Sequence, residues 1–133
     1  MTGHFETVVF DCQGLALWAG RDREMLAKIQ IFHQMGADLV VGVNTIVEAS
    51  HARASMPRMQ WTLSRVRVEP VTEAAAKASA ELLKRVGLHG HKYAIDATVA
   101  EMALRQPGPV AMVTSDEDDM GRLCGAQVRI IAV

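Results

Sequence analysis

Cysteine is scarce in this chain. Cys12 and Cys124 are the two in 133 residues, and both sit in apolar surroundings with no pairing motif. That argues against a disulfide framework and reads as two buried thiols in a reducing cytoplasm. Charge of one sign is also lacking. The net charge is −1, so nothing global recommends nucleic acid, and a local basic patch would have to do that work. No apolar run approaches the roughly 18 residues of a membrane span. The N-terminus reaches Glu6 and a short strand without the basic start and long apolar stretch of a leader, so none is expected. No repeat, linker or low-complexity segment breaks the chain. Half of the residues are hydrophobic and 22% are charged, an ordinary globular balance. One domain spanning 1–133 is the simplest expectation.

Short apolar runs alternate with helical patterns. Thr7–Phe10, Leu39–Val43, Arg67–Glu69, Val110–Thr114 and Val128–Val133 read as strands. Most are continuous Val, Ile, Leu or Met, as parallel strands covered on both faces require. Arg23–Met35, Thr45–Ala54, a short segment around Met59–Ser64, Glu73–Val86, Tyr93–Arg105 and Glu117–Cys124 read as helices. Glu73–Val86 follows Thr72, carries Lys84 and Arg85 in its last turn and stops at Gly87, a complete set of helix signals. The β-α-β alternation predicts an α/β fold, a three-layer α/β/α sandwich around a central parallel sheet of about five strands.

In such a sheet, chemistry collects at the C-terminal edge of the strands. Asp11 ends the first strand, Glu48 lies one turn into the helix after the second, and Asp116 follows the fourth. Asp96 joins them only if the N-terminus of its helix points to that edge. Each acid also has a purely structural reading. Asp11 can start a turn. Glu48 completes a capping box with Thr45, and Asp119 one with Asp116. Asp96 suits a helix start. Against this, Asp11 and Asp96 are flanked by apolar and small residues, where a carboxylate is costly unless paired, protonated or metal-bound. Several acids with no obvious Lys or Arg partner suit a hard cation such as Mg²⁺ or Mn²⁺.

Val8-Val9-Phe10-Asp11 has the look of a haloacid dehalogenase-type phosphatase opening, but that family's second acid is replaced here by Gln13, which cannot move a proton. Across nearly its whole length the chain resembles PIN-domain ribonucleases, particularly the VapC-type toxins of toxin–antitoxin pairs. The resemblance rests on Val-Val-Phe-Asp11, on Asn44-Thr45-Ile46-Val47-Glu48, on Tyr93-Ala94-Ile95-Asp96-Ala97 and on Val113-Thr114-Ser115-Asp116. It implies that Asp11, Glu48, Asp96 and Asp116 hold one or two Mg²⁺ or Mn²⁺ ions for cleavage of RNA phosphodiesters, with Asp119 a further acid or part of a helix start. It also implies a cognate antitoxin and a homodimer without membrane attachment. The chain departs from the pattern at Cys12-Gln13, which leaves open a catalytically degenerate module that binds RNA or protein without cutting.

RNA needs cations to grip its phosphates. Arg53, Arg58 and Lys92 are the candidates, with Arg65 and Arg105 behind them. His89-Gly90-His91 reads as a surface loop, and His33 and His51 as helix residues. Met56, Met59 and Trp61, with Trp18 and Phe32, form either core or a groove for an antitoxin segment or a second copy.

Overall fold

The computed structural model describes residues 3–51 and 53–133. Five strands, β1 (Thr7–Phe10), β2 (Asp38–Gly42), β3 (Arg67–Glu69), β4 (Val110–Thr114) and β5 (Val128–Ala132), form one parallel sheet in the order β3-β2-β1-β4-β5. The central strand lies between β2 and β4, with Val9 in register with Val40 on one side and Met112 on the other.

Side chains alternate across a strand, so each strand feeds two cores. Val8, Phe10, Leu39, Val41, Ala111 and Val113 point to one face. There they meet Leu15 and Trp18 of α1 (Cys12–Ala19), Met25, Ile29 and Phe32 of α2 (Arg23–Gln34), Ala49 of α3 (Val43–Ala49) and Met59 of α4 (Met56–Leu63). Val9, Val40, Val110 and Met112 point the other way. They are covered by α5 (Glu73–Val86), α6 (Gly90–Arg105) and α7 (Glu117–Cys124). The result is the expected three layers, and it explains the nearly continuous apolar runs of the three inner strands β1, β2 and β4. The short edge strand β3 is tied in by Arg67, which binds Asp38 at 2.9 Å, Gln106 at 2.8 Å, and Glu69.

Several boundaries differ from expectation. Cys12–Ala19 is a helix that the pattern does not announce. Its sequence, Cys-Gln-Gly-Leu-Ala-Leu-Trp-Ala, has little polar face to set against its buried one, and it carries a glycine. The expected helix Thr45–Ala54 is α3, which starts earlier at Val43 and ends at Ala49. Ser50, His51, Arg53 and Ala54 lie outside any helix, and Ala52 lies outside the described residues. His51 is therefore no helix residue. α4 begins at Met56 because Ser55 caps it and Pro57 fits its first turn. α6 begins at Gly90 with His89 as its cap, so His89-Gly90-His91 is a helix start rather than a loop, and Tyr93 (φ −110°, ψ 16°) kinks it. Cys12 is half-buried, whereas Cys124 is buried as expected.

The hidden helix is packed tightly at its first turn. A Cβ at Gly14 would lie 2.9 Å from Val113 Cγ1 and 3.1 Å from the Val113 carbonyl oxygen. Only glycine lets α1 approach β4 this closely. Gly14→Ala should lower stability by about 1–3 kcal/mol despite the better helix propensity of alanine. Urea denaturation measures this, and a variant as stable as the parent would contradict the close contact.

Candidate metal centre

β1 and β4 are neighbours, and Phe10 pairs with Val113, so the chain leaves both strands side by side. The Asp11 amide continues the ladder by donating to the Val113 carbonyl at 2.9 Å. Asp11 is 3% exposed, and its carboxylate is held on both oxygens. Oδ1 accepts from the Cys12 amide at 2.8 Å, which caps α1, and Oδ2 accepts from the Thr114 hydroxyl at 2.8 Å. The same hydroxyl accepts from the Asp116 amide at 3.0 Å. Thr114 thus fixes the Asp11 carboxylate and the turn bearing Asp116 together. It is a positioning residue that sequence reasoning passed over, because a threonine ending a strand looks like an ordinary β-former.

Asp96 arrives from the opposite layer, just past the kink in α6. The N-terminus of that helix does reach this edge. One carboxylate oxygen from each of Asp11, Asp96 and Asp116 lies within 4.8 Å of the others. Asp11 is buried, Asp96 half-buried and Asp116 exposed. Asp116 stands at the N-cap of α7 but makes no side-chain cap bond, so no capping box with Asp119 forms.

Glu48 is exposed near the end of α3 and lies outside this close group. The cap of α3 is Gly42, and Thr45 lies inside the helix with its buried hydroxyl lacking a described partner. The Thr45–Glu48 capping box is therefore absent. Glu48 and Asp119 act on the centre through their charge.

The electrostatics record that crowding. Burial first, then the charges of Asp11, Asp116, Glu48 and Asp119, push Asp96 up to about 7. Burial is also the leading cause for Asp11, whose pKa is raised despite its two hydrogen bonds, and for Glu48, raised further by Asp11 and Asp116. Burial and the four acids push the Cys12 thiol up to about 11, so it stays neutral and adds no charge. Every charge that shifts Asp96 is negative. Hard oxygen donors, close together and without a cation, fit a divalent ion such as Mg²⁺ or Mn²⁺.

The basic candidates are scattered. Arg53 and Arg58 line a hollow with Ala16, Ala19 and Ala49, beside Glu48. Lys92 lies in the first turn of α6, 5.2 Å from the Tyr93 ring. Arg65 covers Trp61 at 5.0 Å. Arg105 is bound to Glu101 at 2.8 Å in the last turn of α6, nine residues beyond Asp96 and so roughly 13 Å along the helix. Met59, Trp18 and Phe32 are core, whereas Met56 and Trp61 are 46% and 52% exposed.

The architecture is thus an open parallel α/β domain with a carboxylate cluster at the strand ends. No family model and no curated protein matches the sequence. Among solved structures the chain is similar to one in the crystal structure of VapBC2 from Rickettsia felis bound to a DNA fragment from their promoter. The TM-score is 0.67 at 12% identity, over 96% of this chain and 98% of that one. At that identity the similarity speaks for the fold, which is PIN-like.

Without a cation the cluster works against folding. A carboxyl whose folded pKa lies above its unfolded value binds more protons in the native state between the two values. Stability therefore falls as pH rises from about 4 to about 7, and the full penalty is present above that window. Asp96→Asn should raise the melting temperature of the metal-free protein at pH 8 by about 4 °C, the response of such a domain to about 1 kcal/mol, and change it little at pH 4. Equal shifts at both pH values would contradict the electrostatic origin.

Proposed function

We propose that this chain is a metal-dependent endoribonuclease and the toxin of a toxin–antitoxin pair. One observation carries the reading: three carboxylates from three separate segments converge at the C-terminal edge of a parallel sheet with no cation among them. The PIN-like fold, shared with a chain of VapBC2, supports it. In this reading Asp11, Asp96 and Asp116 would hold Mg²⁺ or Mn²⁺, and Glu48 on α3 would add a fourth carboxylate to the same centre. Asp119 contributes charge from α7. A bound ion would supply Lewis acidity, activating water and offsetting charge at the scissile phosphate.

The protein's own part is positioning. Thr114 and the Cys12 amide hold Asp11 in one orientation, so the ligand is prearranged before the ion arrives. Glu48, whose pKa is raised by burial and then by Asp11 and Asp116, would be the carboxylate to take a proton from water. Arg53, Arg58 and Lys92 grip the substrate phosphates. Gln13 is exposed on α1, and its neutral amide supplies neither the proton of a phosphatase acid nor an anionic ligand. The neutral Cys12 thiol leaves the charge of the site unchanged, so the departure at Cys12-Gln13 need not make the module degenerate.

The remaining parts of the reading follow from it. The single domain 1–133 acts in the cytoplasm with a cognate antitoxin and as a homodimer. Exposed Val43, Val47 and Met56 supply apolar surface for such partner chains.

The test joins binding to turnover. Mn²⁺ titration by calorimetry should show binding that Asp11→Asn or Asp96→Asn removes. Thr114→Val should weaken metal affinity about ten- to a hundredfold. Cleavage of single-stranded RNA should require Mg²⁺ or Mn²⁺ and vanish in both asparagine variants. Undiminished cleavage by folded variants would refute the assignment, and failure to bind Mn²⁺ would mark a degenerate binding module.

A further inference from the structure

The flanks of the metal centre are electrostatically unlike. Beyond β4 stand Asp116, Glu117 and Asp118, all exposed, with Asp119 half-buried behind them. Beyond β2 the surface is basic. A hollow begins at Ala49, next to Glu48, and follows the Ala16 and Ala19 side of α1, with Arg53 and Arg58 on its other wall. It continues past Arg58 into a second hollow that shares Ala19 and is bounded by Arg21 and Trp61. No acidic residue lines either hollow, and among the described residues none of these three arginines is in an ion pair. Trp61 is 52% exposed, and Arg65 lies 5.0 Å from the centre of its ring.

We propose that single-stranded RNA reaches the metal centre from the α4 flank, lying in the groove between α1 and α4 with its phosphates on Arg53 and Arg58 and one base stacked on Trp61. This rests on the nuclease reading above and adds the path and the contact that would set preference at one position. The α7 flank repels a polyanion, and the α4 flank attracts one. The groove also has the two parts that single-strand binding uses, a cationic track and an aromatic platform. Its first stretch sets small alanine side chains beside Arg53 and Arg58, which leaves room for a sugar–phosphate backbone.

Equilibrium binding of a fluorescein-labelled 12-nucleotide single-stranded RNA tests the path. It is measured on the parent chain with Ca²⁺ in place of Mg²⁺ or Mn²⁺, the RNA being checked to be intact by electrophoresis, across a KCl series. Trp61→Ala should raise Kd about tenfold at every salt concentration, and Trp61→Phe should restore most of the loss. Arg53→Ala with Arg58→Ala should reduce the slope of log K against log salt by about 1.4, the share of two phosphates on a single strand. Circular dichroism checks that the variants fold, as expected for exposed positions. RNA binding unchanged in all of them, while the parent chain still cleaves RNA, would overturn the path and leave the nuclease intact. Unchanged RNA binding with lost affinity for an acidic amphipathic helical peptide would assign the groove to a protein partner instead. A parent chain that neither binds nor cleaves RNA would overturn both readings.

Discussion

Mutual repulsion among Asp11, Asp96 and Asp116 is the constraint around which this structure is organised. Bringing three carboxylates within 4.8 Å costs free energy that the rest of the fold must supply. It does so with rigid elements. Two carboxylates leave adjacent parallel strands whose register is set by Phe10 opposite Val113. The third is carried on a helix packed through Ala97, Val99 and Ala100 against the other face of the same sheet. Among the described residues, none of the three is paired with lysine or arginine. A proton on Asp96 relieves part of that repulsion and a divalent ion would relieve more, an arrangement that suits a site whose geometry is held at the expense of stability.

The Asp11–Thr114 hydrogen bond is the hinge of this arrangement. Burial alone would favour a neutral, loosely held Asp11. The Cys12 amide and the Thr114 hydroxyl oppose that by bonding its two oxygens. The first bond exists because α1 starts directly at the strand end. That in turn requires Gly14 to pass Val113 without a side chain. A helix start, a missing Cβ and a strand-end hydroxyl thus converge on the orientation of one carboxylate.

Much of this was legible in the sequence, for identifiable reasons. Strands buried on both faces must be apolar throughout, so Thr7–Phe10 and Val110–Thr114 announced themselves, and with them the acids at their ends. α1 was not legible because its polar face is too slight to give a period. The role of Glu48 was clouded by Thr45 three residues before it, a pattern that only the start of α3 at Val43 resolves. Asp96 could be placed only by knowing which way α6 crosses the sheet, and Thr114 only by knowing that β4 lies beside β1. These are tertiary facts with no local signature. Met56, Met59 and Trp61 divide in the same way, since a helix of eight residues turns Met59 into the core and leaves Trp61 outside.

A net charge of −1 conceals an ordered distribution. Acids gather at the centre and along α7, and arginines gather beside α3 and α4. For a polyanionic substrate the order of events follows from this. An RNA phosphate arriving before the cation meets ionised carboxylates at short range and is driven off. On the nuclease reading proposed above, a divalent ion held among them would cancel much of that charge and leave the arginine-lined flank as the dominant field. The ion would then be as much a condition for substrate approach as for the reaction. Acid conditions that protonate Asp96 do not substitute for it, because a proton removes the repulsion without supplying a positive charge to hold the phosphate.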